Sequence, residues 1–263
     1  NPVLKDIGMI TDAVWADVNG DARLDLVVVG DWMPIRIFAN KGATFEEISA
    51  QTGLGKSNGW WSAVQAADFD QDGDTDFVLG NHGLNSRFRA SAEKPVSMFV
   101  NDFDGNGMAE QLTCVYNGDQ SYPLVLRQDL VSQLPGLKKK YLKYNSYKNQ
   151  TIEDIMSAEQ LANAIRLNAY QMQSCLLMNE KGRFVLIPLP LQAQLAPVYG
   201  LAVEDFDQDG FLDILLGGNF HRAKPEVGIY SASYGLWLRG DGKGTFKPMP
   251  PVKSGFFVQG EVR

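Results

Sequence analysis

The chain has little of what most catalytic chemistry draws on. Its 263 residues include two histidines and two cysteines, too few for a dense disulfide framework and without the ligand spacing of a zinc centre. No apolar run approaches the roughly 20 residues of a membrane-spanning helix. There is no glycine-rich phosphate loop and no nucleophile–base motif, so the chain does not read as an enzyme. Positive charge is also short. Twenty-four Lys and Arg face 31 Asp and Glu, a formal charge of −7, which argues against nucleic acid as a partner. The one basic run, Lys138-Lys139-Lys140 with Tyr141, Tyr144 and Tyr147, reads as a solvated helix face. No secretory leader is visible, and the chain opens on Asn1, so it is read as a processed product or as part of a larger protein.

What the chain has instead is acid in short repeated runs. Between Val203 and Asp213, the residues Asp205, Asp207, Asp209 and Asp213 take positions 1, 3, 5 and 9 of a tight turn, with Gly210 at position 6. The pattern recurs as Asp68, Asp70, Asp72 and Asp76 with Gly73, and as Asp102, Asp104, Asn106 and Glu110 with Gly107. The first copy is Asp17, Asn19, Asp21 and Asp25, where Ala22 replaces the glycine. Position 7, held by Arg23, Asp74, Met108 and Phe211, would offer its backbone carbonyl. Alternate residues of a turn can aim oxygens at one centre, and calcium takes six to eight of them. Without a cation, carboxylates this close repel one another. The pattern predicts about four Ca²⁺ ions, held most tightly by the four-carboxylate loops starting at Asp68 and Asp205.

These are not helix-flanked loops. Alternating or apolar runs precede each one, and β-rich runs ending in glycine follow three: Leu24 to Gly30, Phe77 to Gly80 and Leu212 to Gly218. They read as strand, metal loop, strand. A second signal, a glycine turn that opens onto an aromatic, recurs at Phe38 to Phe45, Leu177 to Phe184 and Leu238 to Phe246. Four strands per unit predict an all-β fold, a β-propeller of four-stranded blades spanning residues 1–263. Blades are expected over 8–50, 60–94 (short, lacking a strand), 95–189 and 198–248, with 254–258 opening another. The third carries a helical insertion at about 122–173. There Thr151 and Asp154 form a capping box, and Ile152, Ile155, Leu161, Ala162, Ile165 and Ala169 recur at helical spacing.

These residues resemble the FG-GAP, or VCBS, repeats of integrin α-subunit propellers. Gly59-Trp60-Trp61, Gly80 to Ser86, Val100 to Gly107, Ala196 to Gly200 and Ser254 to Phe256 further resemble bacterial surface proteins akin to cartilage acidic protein, which pair such repeats with an ASPIC/UnbV domain. No ASPIC/UnbV segment is visible in this chain. The resemblance implies an extracellular or cell-surface module, associated with the outer membrane of a Gram-negative bacterium. It implies calcium-stabilised blades, no membrane span, and an extracellular protein or glycan as partner. The alternative is a carbohydrate-active propeller enzyme, lyase or glycosidase-like, using His82, His221 and nearby tyrosines on the face opposite the calcium loops.

Other features take plainer readings. Arg239-Gly240-Asp241 spells an integrin-ligand tripeptide but sits in a repeated inter-strand turn. At least one of Trp60 and Trp61 belongs in a core. Cys114 and Cys175 fall in strands expected to pair, where they either bridge, being within reach of a disulfide, or stay buried free thiols. The metal loops all join first and second strands. Connections from second to third strands (Asp31 to Pro34, Asn81 to Ser91, the helical insertion, Asn219 to Tyr234) are therefore expected on the opposite rim, where rigid scaffolds carry binding sites.

Overall fold

The runs that follow the acidic loops, such as Asp76-Phe77-Val78-Leu79-Gly80, alternate their side chains between two faces, and both faces find apolar partners. The chain therefore forms strands buried on both sides. In this computed structural model, which describes residues 1–224 and 227–263, the elements run β1 (Met9–Ala16), β2 (Asp25–Met33), β3 (Arg36–Asn40), β4 (Phe45–Glu47), β5 (Gly59–Trp60), β6 (Ala63–Ala67) and β7 (Asp76–Gly80). Next come β8 (Val96–Asn101), β9 (Glu110–Asn117), β10 (Gln120–Pro123), α1 (Arg127–Gln133), α2 (Tyr144–Tyr147), α3 (Ile152–Ile155), α4 (Ala158–Ala162) and β11 (Ile165–Ala169). The chain continues through β12 (Cys175–Glu180), β13 (Arg183–Pro188), β14 (Val198–Glu204), β15 (Asp213–Gly218), β16 (Leu236–Gly240), β17 (Phe246–Met249) and α5 (Pro251–Ser254). Two units result: residues 1–87 with 171–263, and residues 88–170.

The first unit holds three antiparallel four-strand meanders, in the orders β1-β2-β3-β4, β6-β7-β12-β13 and β14-β15-β16-β17, with β5 added to β2. The first and third match the blades expected over 8–50 and 198–248, except that Gly59–Trp60, expected to open the second blade, pairs with β2 of the first sheet. The second differs: it is complete, because its third and fourth strands arrive only after the chain has made the 88–170 excursion. β12 pairs Cys175, Leu176 and Leu177 with Leu79, Val78 and Phe77 of β7. The middle sheet is sandwiched. Phe77, Leu79, Cys175 and Leu177 pack with Val27, Val29, Ile35 and Ile37 in one core, whereas Val78, Leu176 and Met178 pack with Ile214, Leu216 and Leu238 in another. Trp61 is fully buried in the first core, its indole N–H donating to Ser57 O at 2.8 Å. Residues 254–258 add no strand; Val258 N donates to Tyr234 O instead.

The second strands carry glycine near their far ends because other backbone approaches closely there. A β-carbon on Gly30 would lie 2.1 Å from Met9 O, on Gly80 2.6 Å from Val198 O, and on Gly218 1.7 Å from Pro197 O. No side chain fits these close approaches.

The second unit is a sheet of its own, β10-β9-β8-β11, rather than a blade with an insertion between its second and third strands. Its core joins Phe99, Phe103 and Leu112 to Leu130, Leu134, Tyr141, Ile152 and Ile155. Both Thr151 and Ser157 open capping boxes, so the run read as one helix is two short ones. Its end is β11, where Ile165 to Ala169 pair with Val100 to Val96; Ile165, Leu167 and Ala169 satisfy a period of two as well as a helical one. The helices gather at the acidic-loop end of this sheet, where Gln160 Nε2 donates to Phe103 O at 2.8 Å and Asn101 Nδ2 to Gln160 O at 3.2 Å. The expectation that they lie at the opposite end is overturned within this unit. Cys114 and Cys175 are both buried free thiols. They stand on strands of different sheets, β9 and β12, so the expected strand pairing behind a disulfide does not form.

Candidate metal centres

All four acidic loops fold by one hydrogen-bond plan. The position 1 carboxylate accepts from the position 6 N–H: Asp17 from Ala22 (2.8 Å), Asp68 from Gly73 (3.1 Å), Asp102 from Gly107 (2.8 Å) and Asp205 from Gly210 (2.9 Å). Position 5 accepts from position 7: Asp21 from Arg23 (3.0 Å), Asp72 from Asp74 (2.9 Å), Asn106 from Met108 (2.8 Å) and Asp209 from Phe211 (3.0 Å). Position 9 accepts from position 2: Asp25 from Val18 (3.1 Å), Asp76 from Phe69 (3.1 Å), Glu110 from Phe103 (2.9 Å) and Asp213 from Phe206 (3.2 Å). These short-range bonds satisfy the turn's N–H groups and leave each carboxylate with unused lone pairs.

Position 9 is the anchor of the loop. Asp25, Asp76 and Asp213 are fully buried, and their second oxygens accept from the third strand, at Asn40 N (2.7 Å), Asn179 N (2.7 Å) and Gly240 N (2.8 Å). The position 2 residue hooks the loop to a neighbouring element. Val18 O accepts from Asn179 Nδ2 at 3.2 Å, and Phe69 O from Gly244 N at 3.3 Å.

Three loops bring three carboxylates together, with one oxygen from each within 4.8 Å of the others: Asp68, Asp70 and Asp76; Asp102, Asp104 and Glu110; Asp205, Asp207 and Asp213. Positions 1, 3 and 9 thus converge, and position 5 stands outside each trio. The first loop has Asn19 at position 3. The electrostatics suit a cation. Burial pushes the Asp76 carboxyl up to about 6. Asp70 is raised by burial and by the charge of Asp72, and Asp213 is raised by burial. Asp68 Oδ1 is buried without a hydrogen-bond partner, an oxygen that a metal ion would satisfy. Oxygen-only donors that include uncompensated carboxylates fit a hard divalent cation.

Three features of these loops escaped the sequence reading. Position 4 takes a left-handed backbone as regularly as position 6: φ is 73° at Gly20, 61° at Gln71, 73° at Gly105 and 59° at Gln208. The strand-three asparagines, Asn40 and Asn179, were visible in the repeated turn, but their tie to position 9 was not. Arg239, first residue of the Arg-Gly-Asp tripeptide, reaches Asp207 at 2.5 Å and Asp209 at 2.7 Å, so the fourth loop already holds one positive charge. The tripeptide itself is the end of β16 and its turn, where Asp241 accepts from Lys243 N and Thr245 N.

His82 packs edge-on between Trp60 and Tyr230, whereas His221 is exposed and its backbone N–H donates to Glu261. Of the connection read over 219–234, residues 225 and 226 lie outside the described residues.

Residues 17–79 match the FG-GAP-like repeat family, a stretch that covers the first two acidic loops and the strands around them. No curated protein matches the chain. Among the described residues no helix is long and apolar enough to cross a membrane.

Proposed function

We propose that this chain is a calcium-braced β-propeller module that works outside the cell, as part of a surface protein of the ASPIC/UnbV, cartilage-acidic-protein-like kind, and binds a protein or glycan there. The observation that carries this reading is the convergence of carboxylates from positions 1, 3 and 9 in three loops built on one plan. Bound calcium would neutralise these carboxylates and complete the satisfaction of their oxygens. The chain's part is to hold them: the position 9 residue ties each loop to its sheet, and the position 6 backbone closes the turn. The matched FG-GAP-like stretch supports an extracellular setting. The first loop, with Asn19, would use three carboxylates, Asn19 and the Arg23 carbonyl; the fourth must compete with Arg239. The second loop, around Asp68, is therefore the tightest, and the fourth is weaker than its four carboxylates alone imply.

Calorimetric titration of metal-stripped protein with CaCl₂ is the test. About four sites are expected, with Kd in the range of about 10⁻⁴–10⁻³ M usual for extracellular modules. Because the cation binds the folded state, chelation should lower the melting temperature. A melting curve indifferent to excess chelator would sink the reading.

A further inference from the structure

At the ends of the second strands remote from the acidic loops, the first unit carries a circuit of side chains that calcium does not use. Ring centroids stand 5.1 Å apart from Trp32 to Trp60, 5.1 Å from Trp60 to His82 and 4.9 Å from His82 to Tyr230. Tyr230 stacks on Phe220 at 6.5 Å. Arg263 lies over Phe220 at 6.0 Å and over Tyr199 at 5.2 Å. Tyr199 in turn feels the charge of Asp31, which precedes Trp32 and is the ladder partner of Trp60. The ring and cation contacts thus run in a chain from Trp32 to Tyr199. All five aromatic residues, with His82, are half-buried or nearly so: they are held from beneath and show the rest to solvent.

The backbone has been bent to build this circuit. Trp32 takes φ = 61°, an outlying conformation for so bulky a residue, at a register shift between Asp31 and Met33 in the β2–β5 pairing. Such bulges re-aim a side chain, and strain of this kind gathers at ligand sites. The Trp32 indole is aimed at Trp60 and joins none of the buried cores.

We propose that this circuit binds an oligosaccharide, with Trp32, Trp60 and Tyr230 as the stacking platform and Asp31, Tyr199 and Arg263 as its hydrogen-bonding rim. A sugar ring offers an apolar C–H face and a girdle of hydroxyls that both donate and accept. It needs an aromatic face next to mixed donors and acceptors. Asp31 accepts, Arg263 donates and Tyr199 does both. Rigid, amphipathic Trp and Tyr supply contact area at little entropic cost. Arg263 is paired with Glu261 at 2.5 Å, so its own charge is already matched. The edge-to-face rings stand only 4.9 to 5.1 Å apart and so leave no gap between them that would enclose a quaternary ammonium. This inference deepens the glycan-binding side of the function proposed above and rests on it for ligand class, not for calcium.

The experiment follows tryptophan emission of the calcium-replete full chain during titration with hexasaccharides of cellulose, xylan, mannan and chitin, with choline and inorganic phosphate as further arms. Saturable binding of at least one hexasaccharide is expected. Trp32→Gly should weaken it at least about tenfold while leaving the melting temperature unchanged or raised, because glycine accepts φ = 61° without strain. Trp15→Ala, on an exposed side chain of β1 outside the circuit, should leave binding as it was. Binding to no hexasaccharide, binding unmoved by Trp32→Gly, or binding of choline or phosphate instead would each overturn the proposal. Chelator indifference with sugar binding intact would sink the calcium reading alone; a chelator-sensitive melt with no sugar bound would sink this one alone.

Discussion

Ala22 occupies the one position 6 without glycine, yet its backbone takes the same left-handed turn as the others, at φ = 64°. A β-carbon there costs about 1–2 kcal/mol. Ala22→Gly should therefore stabilise the protein by about 1 kcal/mol in chelator, measured by denaturant unfolding; a loss of stability would show that the turn is held some other way. His82 sets a second residue-scale expectation. Burial among Trp60 and Tyr230 lowers its pKa from 6.5 to about 4. The folded state thus resists a proton that the unfolded state accepts below pH 6.5. Its stabilising share is complete above about pH 6.5 and declines as pH falls towards 4, by roughly 3 kcal/mol at most. With calcium saturating, the stability of His82→Gln minus that of the parent should rise across this window. A flat difference would place His82 in a wetter setting.

At the scale of elements, the strands around the acidic loops were legible because two signals coincide there: a run with period two and a turn whose acidic residues have nowhere else to point. The third sheet, and the first apart from β5, were readable for that reason. The middle sheet was not, because nothing in Leu176 says that its partner is Val78 across 88–170; pairing is a long-range choice that periodicity does not encode. The expected pairing of the strands that hold Cys114 and Cys175 failed on the same ground, since it assumed β9 would be partnered by β12. The helix read through Ile165 failed because apolar residues at 165, 167 and 169 serve either period until β8 claims them. The glycines near the far ends of the second strands read as punctuation in the sequence, and their reason is steric. Gly80→Ala would press a β-carbon to 2.6 Å from Val198 O, whereas Gly55 has open space around its own. The first should cost about 3 kcal/mol through overpacking against immovable backbone. Gly55→Ala should stay within about 0.5 kcal/mol. Equal unfolding midpoints for the two variants would refute the steric account.

At the scale of the whole molecule, each unit has its own apolar core: Phe103, Leu130, Tyr141 and Ile152 belong to residues 88–170, and the cores between the three meanders draw only on the remainder. The chain leaves and re-enters the first unit at one place. Gly83 N donates to Met172 O at 2.7 Å, and Asn81 N to Ser174 Oγ at 3.0 Å. Replacing 88–170 by a short Gly-Ser linker therefore asks nothing new of the backbone, and closing a shorter loop costs slightly less entropy. The shortened chain should fold cooperatively, keep its far-end aromatic circuit, and lose one calcium site in calorimetric titration, the one built on Asp102, Asp104 and Glu110. A chain that fails to fold would mean that β7 and β12 need the excursion to find each other. A folded chain with an unchanged number of calcium sites would mean that the third loop, for all its converging carboxylates, holds no ion.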